Sequence, residues 1–481
     1  MSDAHSQEKP TYKKVLKGLD LTLFTVCAIL VIDTLAPSAA IGPSSISWWI
    51  ITLVLFFVPY ALITAELGST YPEQGGLYVW VKKAFGEKWA ARTTWLYWIN
   101  VALWMPSVYA LFAGMFATLF WPEMSLVVQI ALGLVMTWLT VIVGIIKTDT
   151  GKWIPNVGAA VKALLMVLIG GAAFFYVGKN GIANDLSMGA IMPKWDAGLF
   201  FLPVIVYNFM GFELMSGAGE EMEDPGRDIP RAIITSGVLI AAFYLIGTIG
   251  MLMAIPLEDL GLVSGIIDTL RILFGTSGAG GAVVVILGVG ALYSFFANMV
   301  TWTMGANRAA AEAAMEHELP PIFGKLHKVN KTPASAFVIT GIVSTVVLIV
   351  YGFMAADSED LFWTLFAFSS MVFLMPYLAI FPAFLKLRRI DPDTERPYRV
   401  PGGTGFARLI SIVCEIFIVQ GIVFFVWVPG QPVDWAFAAP VLIGVVLTIL
   451  VGEWLLKVAK DGKAARAAAA PGTGSSGGPT A

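Results

Sequence analysis

Residues 200–231, FFLPVIVYNFMGFELMSGAGEEMEDPGRDIPR, begin as an apolar helix of membrane type and lose that character halfway. Asn208, Gly211 and Glu213 fall where such a helix would lie near mid-bilayer, and the segment leaves through an acidic and then a basic loop. Glycine weakens a helix at this point. A charged, unpaired carboxylate at that depth costs about 2.5–3.5 kcal/mol on insertion scales. Irregular backbone is tolerated inside a membrane only against buried protein or a water-filled cavity. Broken helices of this kind are where secondary transporters bind their substrates.

The rest of the chain fits that reading. Of 481 residues 57% are hydrophobic and only 13% are charged, where soluble domains carry about 25% charged residues. A span needs about 20 apolar residues. Twelve candidates fall at roughly 20–42, 45–67, 93–120, 125–145, 156–177, 198–222, 232–254, 280–305, 335–354, 361–385, 405–428 and 434–456. The expected fold is therefore an all-α polytopic membrane protein. Residues 1–19 read as a polar tail, 20–456 as one membrane domain, and 457–481 as a low-complexity, disordered tail. Within the membrane domain spans 1–10 form the core, and 405–456 supply spans 11 and 12. The polar first 20 residues lack a small-residue cleavage site and do not read as a signal peptide.

Basic residues set the orientation. With the amino terminus inside, the inner segments hold 26 of the 30 Lys and Arg, the outer loops hold Lys179, Lys194 and Arg271, and Lys162 falls within a span. Such a bias places both termini in the cytoplasm, and the protein is expected in the cell membrane. The net charge of −3 is divided among many loops and gives no sign of a nucleic-acid partner. Cys27 and Cys414 both lie in spans and all three histidines lie outside them, so neither a disulfide, a metal site nor a cofactor is expected.

A second irregular centre occurs in the first span. There Ile32-Asp33-Thr34-Leu35-Ala36-Pro37 puts a carboxylate and a proline in mid-membrane. Interruptions five spans apart point to an inverted-repeat transporter. Three peripheral features have simple expectations. Residues 307–331 read as a cytoplasmic helix stopped by Pro320-Pro321. Residues 256–274 read as a helix lying along the membrane surface. The Trp48-Trp49 pair reads as part of an interfacial belt at the outer end of span 2.

Three motifs carry a family resemblance. TAELGSTYPEQGGLYVWVKKAFG (64–86) resembles the end of the second span in the amino acid–polyamine–organocation transporter superfamily. GFELMSGAGEEMEDPGRDIPRAI (211–233) resembles its sixth span and following loop, and RPYRVPGG (396–403) resembles its basic loop before span 11. The first span most resembles the glutamate/GABA antiporter branch. The resemblance implies a five-plus-five inverted repeat of the leucine-transporter type, with spans 1 and 6 broken. It also implies a substrate bearing an amino group, bound between spans 1, 3, 6, 8 and 10, and moved by proton symport or exchange. The chain departs from the pattern at Ile32-Asp33-Thr34, where most members have a small glycine-rich turn whose amides hold a substrate carboxylate.

Each candidate residue has a plain alternative. Asp33, with Thr34 beside it, reads as a ligand for a substrate amine or as a proton acceptor; the alternative is a carboxylate capping local amides. Tyr207, Asn208, Phe209, Gly211, Phe212 and Glu213 form the expected unwound window of span 6. Its free carbonyls suit an ammonium, and Phe209 or Phe212 suits a lid; the alternatives are packing aromatics and a Glu213 paired with other groups. Lys162 stands, by the resemblance, where sodium-coupled relatives bind a cation, so proton exchange there would drive transport. The alternative is a lysine snorkelling to the cytoplasmic surface. Asn298 and Tyr377 would supply polar contacts in spans 8 and 10, or bridge helices. Glu66 reads as structural.

The expected function is secondary-active transport of an amino acid, or of its decarboxylated amine, by alternating access. The alternative within that class is a polyamine or biogenic amine carrier with Asp33 as amine ligand. No phosphate-binding loop is present to use ATP. A membrane enzyme would need a nucleophile, base or metal cluster within the spans, and a passive channel would favour symmetric rings of ligands.

Overall fold

The computed structural model describes residues 18–73, 76–146, 153–214, 224–316 and 318–469. Most of the amino-terminal tail, Lys147 and Lys152, the acidic loop 215–223, His317 and residues 470–481 lie outside the described residues. Every regular element among the described residues is a helix.

Among the described residues ten helices are long and apolar enough to cross a membrane. They are span 2 (Ser45–Thr70), span 3 (Glu87–Phe120), span 4 (Leu126–Ile146), span 5 (Trp153–Asn180), span 7 (Pro225–Ala254), span 8 (Gly278–Met315), span 9 (Ala334–Gly352), span 10 (Ser358–Ile390), span 11 (Gly403–Phe424) and span 12 (Trp435–Gly462). Two shorter apolar segments, Thr25–Ala40 and Gly198–Leu214, complete the twelve as spans 1 and 6. Both are broken where the sequence turns polar. The outer ring faces lipid with side chains such as Phe174, Phe175, Val346 and Ile416, which are well exposed.

Span 1 runs as a helix over Gly18–Ile29, and the amide of Leu30 still bonds to Val26. Val31 is extended, Ile32–Thr34 form a single 3-10 turn, and a short helix resumes over Leu35–Ala40. Aspartate has a low intrinsic preference for helix interiors. Pro37 falls in the first turn of the resumed helix, where its missing N–H has no intrahelical partner to lose. Span 6 is helical over Leu202–Asn208, opens at Phe209, and turns at Gly211 with φ +107°, a conformation open to glycine at low cost.

Several elements run differently from the sequence expectation. Span 8 continues without interruption to Met315, because the alanine-rich stretch expected to start a separate helix prolongs it. Only a short 3-10 turn, Pro321–Gly324, follows. The segment expected to lie on the membrane surface forms a helix at Gly265–Phe274 but buries Ile266, Ile267 and Leu270 in the protein core, not in lipid. Trp49 is 1% exposed and stacks on Tyr244 at 4.9 Å, so it belongs to the interior rather than to an interfacial belt. Span 10 is interrupted at Met375-Pro376, where proline cannot donate to the helical hydrogen-bond ladder. The last helix extends to Ala469, sustained by alanine and lysine beyond Leu456.

The face at which spans 2, 8 and 10 end is tied together by ionic contacts. Glu66, near the end of span 2, accepts from Nε of Arg388 at 2.7 Å, from Nη2 of the same arginine, and from the amide of Val400 at 2.7 Å. Arg396 Nε lies 3.3 Å from it. Nearby, Tyr78 and Lys82 bond to Glu316 and Glu318 at the end of span 8. Burial pushes the Glu318 carboxyl up, against the opposing effect of Tyr78 and Lys82.

Candidate functional site

The two breaks face each other in the interior. A side chain built at Gly211 would lie 3.3 Å from Ile29 and 3.4 Å from the Trp302 ring. Asn208 in span 6 donates to Ser38 in span 1 at 3.3 Å, and Ser38 in turn donates to the carbonyl of Thr34. Glycine at 211 thus lets span 6 turn beside Ile29 of span 1 and Trp302 of span 8 without crowding either side chain.

Breaking span 1 frees backbone groups that must find partners in a dry interior. Three side chains from three other spans supply them. Lys162 of span 5 donates to the carbonyl of Cys27 at 2.8 Å. Trp302 of span 8 donates to that of Ala28 at 2.9 Å. The Tyr244 hydroxyl of span 7 donates to the carbonyls of Ile29, at 2.9 Å, and Val31, at 3.2 Å, and accepts from the Val31 amide at 2.8 Å. Thr34 donates to the Val31 carbonyl as well.

Asp33 is different. It is 2% exposed, yet neither carboxylate oxygen has a hydrogen-bond partner among the described residues. The Trp104 indole N–H lies beside it without completing a hydrogen bond. Lys162, Tyr207 and Tyr244 lie within electrostatic reach. Aromatic rings line this region: Trp104 meets Tyr207 at 6.3 Å and Trp302 at 5.8 Å, and Phe373 lies 5.4 Å from Tyr207 and 5.9 Å from Trp302. Asn208 also keeps its amide oxygen unpartnered and buried.

The other candidates are engaged with one another. Glu213 is 2% exposed and accepts from Tyr60 of span 2 at 2.5 Å, from Tyr97 of span 3 at 2.9 Å and from Tyr377 of span 10 at 2.7 Å. Asn298 accepts from Lys162 at 2.8 Å. Lys162 is 1% exposed, and its amine points inward to span 1 rather than out to the surface. Phe209 and Phe212 are fully buried and pack on Phe57 at 5.0 and 4.9 Å. The structure thus brings Asp33, Tyr207, Asn208 and Gly211 to the meeting of the breaks. Glu213 and Tyr377 lie in a tyrosine cluster joined to it through Phe373. Trp104, Trp302 and Tyr244 were not singled out from sequence, because aromatic residues inside apolar spans look like ordinary packing.

Cys27 and Cys414 are free and buried, and no group of three His, Cys, Asp or Glu fit to hold a metal occurs among the described residues.

Comparison with known proteins agrees with this architecture. The profile of the amino acid permease family matches residues 16–450. A probable agmatine/putrescine antiporter of Lactococcus lactis is 34% identical over 441 residues, covering 90% of this chain and 93% of that protein. An uncharacterized transporter of Legionella pneumophila is 28% identical over 89% of this chain and 97% of its own length. A glutamate/gamma-aminobutyrate antiporter of Lactococcus lactis is 23% identical over 73% of this chain and 71% of its own. With a profile spanning nearly every helix and a relative this similar over nine-tenths of the sequence, the chain belongs to the amino acid permease family, within the superfamily its motifs resemble.

Proposed function

We propose that the chain is a secondary-active exchanger of organic amines, carrying a decarboxylated amino acid rather than the amino acid itself. The observation that carries this reading is Asp33. A carboxylate taken out of water without a partner is strongly disfavoured. An ammonium or guanidinium cation is its natural complement, and a second carboxylate placed beside it would be repelled. The aromatic side chains around Asp33 favour a cation for the same reason, since their ring faces are negative. The relative described as an agmatine/putrescine antiporter points the same way: its named substrates are amines without a carboxylate.

In this reading Asp33 binds the amine, Tyr207 and Asn208 flank it, and Thr34 and the Gly211 backbone shape the pocket. Substrate moves by alternating access of the two broken spans, and the cycle needs neither ATP nor a catalytic group. We read the face at which spans 2, 8 and 10 end as cytoplasmic, which its excess of Lys and Arg supports. Cysteines introduced at Lys82 and Arg396 should then react only from inside, and one at Lys179 from outside.

Binding to purified Asp33→Asn protein tests the assignment. Asparagine keeps the shape and removes the charge, so losing a charged contact should weaken amine binding by about 1.5–3 kcal/mol, roughly ten- to a hundredfold. Putrescine and agmatine, assayed by thermal shift and by counterflow in liposomes, are the probes. Wild-type amine affinity in Asp33→Asn, or equal binding of amino acids by the unaltered protein, would remove the basis for the proposal.

A further inference from the structure

Asp33 and Asn208 are not the only polar side chains left unsatisfied around the meeting of the breaks. Asn100 of span 3 is 2% exposed, and its amide oxygen has no hydrogen-bond partner among the described residues. Ser370 of span 10 is fully buried, and its hydroxyl likewise has none. A serine inside a helix commonly donates to a carbonyl one turn back. Ser369 does so to Phe366 at 3.1 Å, but Ser370 does not. A buried polar group without a partner is costly to keep.

Helical spacing places both residues beside one set of rings. Tyr97, Asn100 and Trp104 stand three and four positions apart and share a face of span 3. Phe366, Ser370 and Phe373 stand four and three apart and share a face of span 10. The rings on these two faces belong to a closed circuit. Trp104 meets Tyr207, Tyr207 meets Phe373, Phe373 meets Trp302, and Trp302 meets Trp104, all with centroids between 5.4 and 6.3 Å. Tyr97 extends the circuit, at 6.1 Å from Phe373 and 6.4 Å from Trp302. Its hydroxyl is already committed to Glu213.

We propose that Asn100 and Ser370, with the rings of Trp104, Trp302 and Phe373 around them, form a second cation subsite that takes the far end of a doubly charged amine. This rests on the amine reading above and adds to it the length and the second charge of the substrate. An ammonium or guanidinium donates to the amide and hydroxyl oxygens, and the negative ring faces hold its charge. Both oxygens are neutral, so the subsite adds no further buried anion. Asp33 holds the near end beside the Trp104 indole. Asn100 lies one turn from Trp104 along span 3, a rise of about 6 Å. The two nitrogens of an extended four-carbon diamine are also about 6 Å apart, from ordinary bond lengths. A monoamine of the same length fills the same space but leaves both oxygens without a donor. That asymmetry is what lets a polar site reject an analogue lacking the matching group.

The test sets putrescine against n-butylamine, which keeps the chain and one charge and lacks the other. Binding to full-length protein in detergent is measured by isothermal titration calorimetry. The unaltered protein should prefer putrescine by a factor on the order of a hundred. Asn100→Leu removes an unpartnered amide at similar side-chain size, so the ligand-free protein should melt no lower than the unaltered one. Its putrescine affinity should fall by about tenfold, and the preference over butylamine should narrow by a similar factor. Ser370→Ala should narrow the preference in the same direction. An unchanged ratio in a folded Asn100→Leu protein overturns the inference, and so does an unchanged ratio in Ser370→Ala if the first variant does not fold. Failure of the amine reading itself looks different. Asp33→Asn would then leave the binding of both amines unaltered, whereas with Asp33 as the near-end ligand it weakens both.

Discussion

Nζ of Lys162 lies 2.8 Å from Oδ1 of Asn298, so spans 5 and 8 are joined by a buried hydrogen bond at the level where span 1 breaks. The same amine donates to the Cys27 carbonyl, which makes Lys162 the link among three spans. A buried amine of this kind must keep its partners or lose its proton. Its protonation should therefore be coupled to how tightly the first half of span 1 is held against spans 5 and 8. In Lys162→Ala, amine exchange across liposomes should survive while its dependence on pH is lost. A pH dependence of exchange unchanged in that variant would separate Lys162 from any protonation step of the cycle.

Gly211 offers a sharper test of the site's position. Its φ of +107° strains any L side chain, and a Cβ there would press on Ile29 at 3.3 Å. Gly211→Leu adds bulk at the contact between the two breaks. The protein should insert and reach the membrane normally, since the change is apolar, but substrate binding should be lost. Radiolabelled amine binding to membranes with matched expression decides the matter. Wild-type affinity there would mean the substrate binds away from the meeting of spans 1 and 6.

How much of this was legible in the sequence follows from physical range. The twelve spans and the two interruptions depend on local composition, and both breaks lie where Asp33 and Gly211 were read. The polar candidates could be named but not sorted, because their partners are far along the chain. Glu213 meets Tyr60 across 153 positions and Tyr377 across 164. Asn298 meets Lys162 across 136. An intramembrane polar residue looks the same in sequence whether it awaits a ligand or is already satisfied. Asp33 is distinguished from Glu213 by carboxylate oxygens that have no hydrogen-bond partner among the described residues. Tyr244 was invisible for a further reason: a tyrosine in an apolar span carries no sign that its hydroxyl serves another span's backbone.

Glu66 should matter to stability rather than to binding. Its carboxylate is 2% exposed and is flanked by Arg388 and Arg396, whose side chains are 10% and 8% exposed. Glu66→Gln leaves two arginines at the ends of spans 2 and 10 without their counter-charge. Removing one partner of a buried ion pair typically costs 3–5 kcal/mol. The apparent melting temperature in detergent should drop clearly, and Arg388→Met should recover part of the loss in the Glu66→Gln background. Unaltered thermal stability of Glu66→Gln would show that the cluster is not what ties span 2 to span 10.

The last prediction separates the two buried carboxylates. Glu213 has about four acceptor positions, and three are taken by the hydroxyls of Tyr60, Tyr97 and Tyr377. These come from spans 2, 3 and 10, so the carboxylate fixes the second half of span 6 against three neighbours. Hydrogen bonds to a charged group are worth about 1.5–3 kcal/mol each, against 0.5–1.5 for neutral ones. Glu213→Gln keeps the shape, weakens the bonds its oxygen still accepts, and turns an NH₂ toward at least one hydroxyl that must reorient. Stability should fall by about 2 kcal/mol. Amine affinity should change by less than about threefold, because this carboxylate's acceptors are largely occupied by protein hydroxyls. Asp33→Asn should do the reverse, losing amine affinity and gaining stability in the ligand-free protein as an unpartnered buried charge is removed. Melting curves for both variants, with and without saturating putrescine, read the two effects at once, since a bound ligand raises the melting temperature by mass action. Loss of the putrescine-induced shift in Glu213→Gln, with the ligand-free melting temperature intact, would make Glu213 a direct substrate ligand instead.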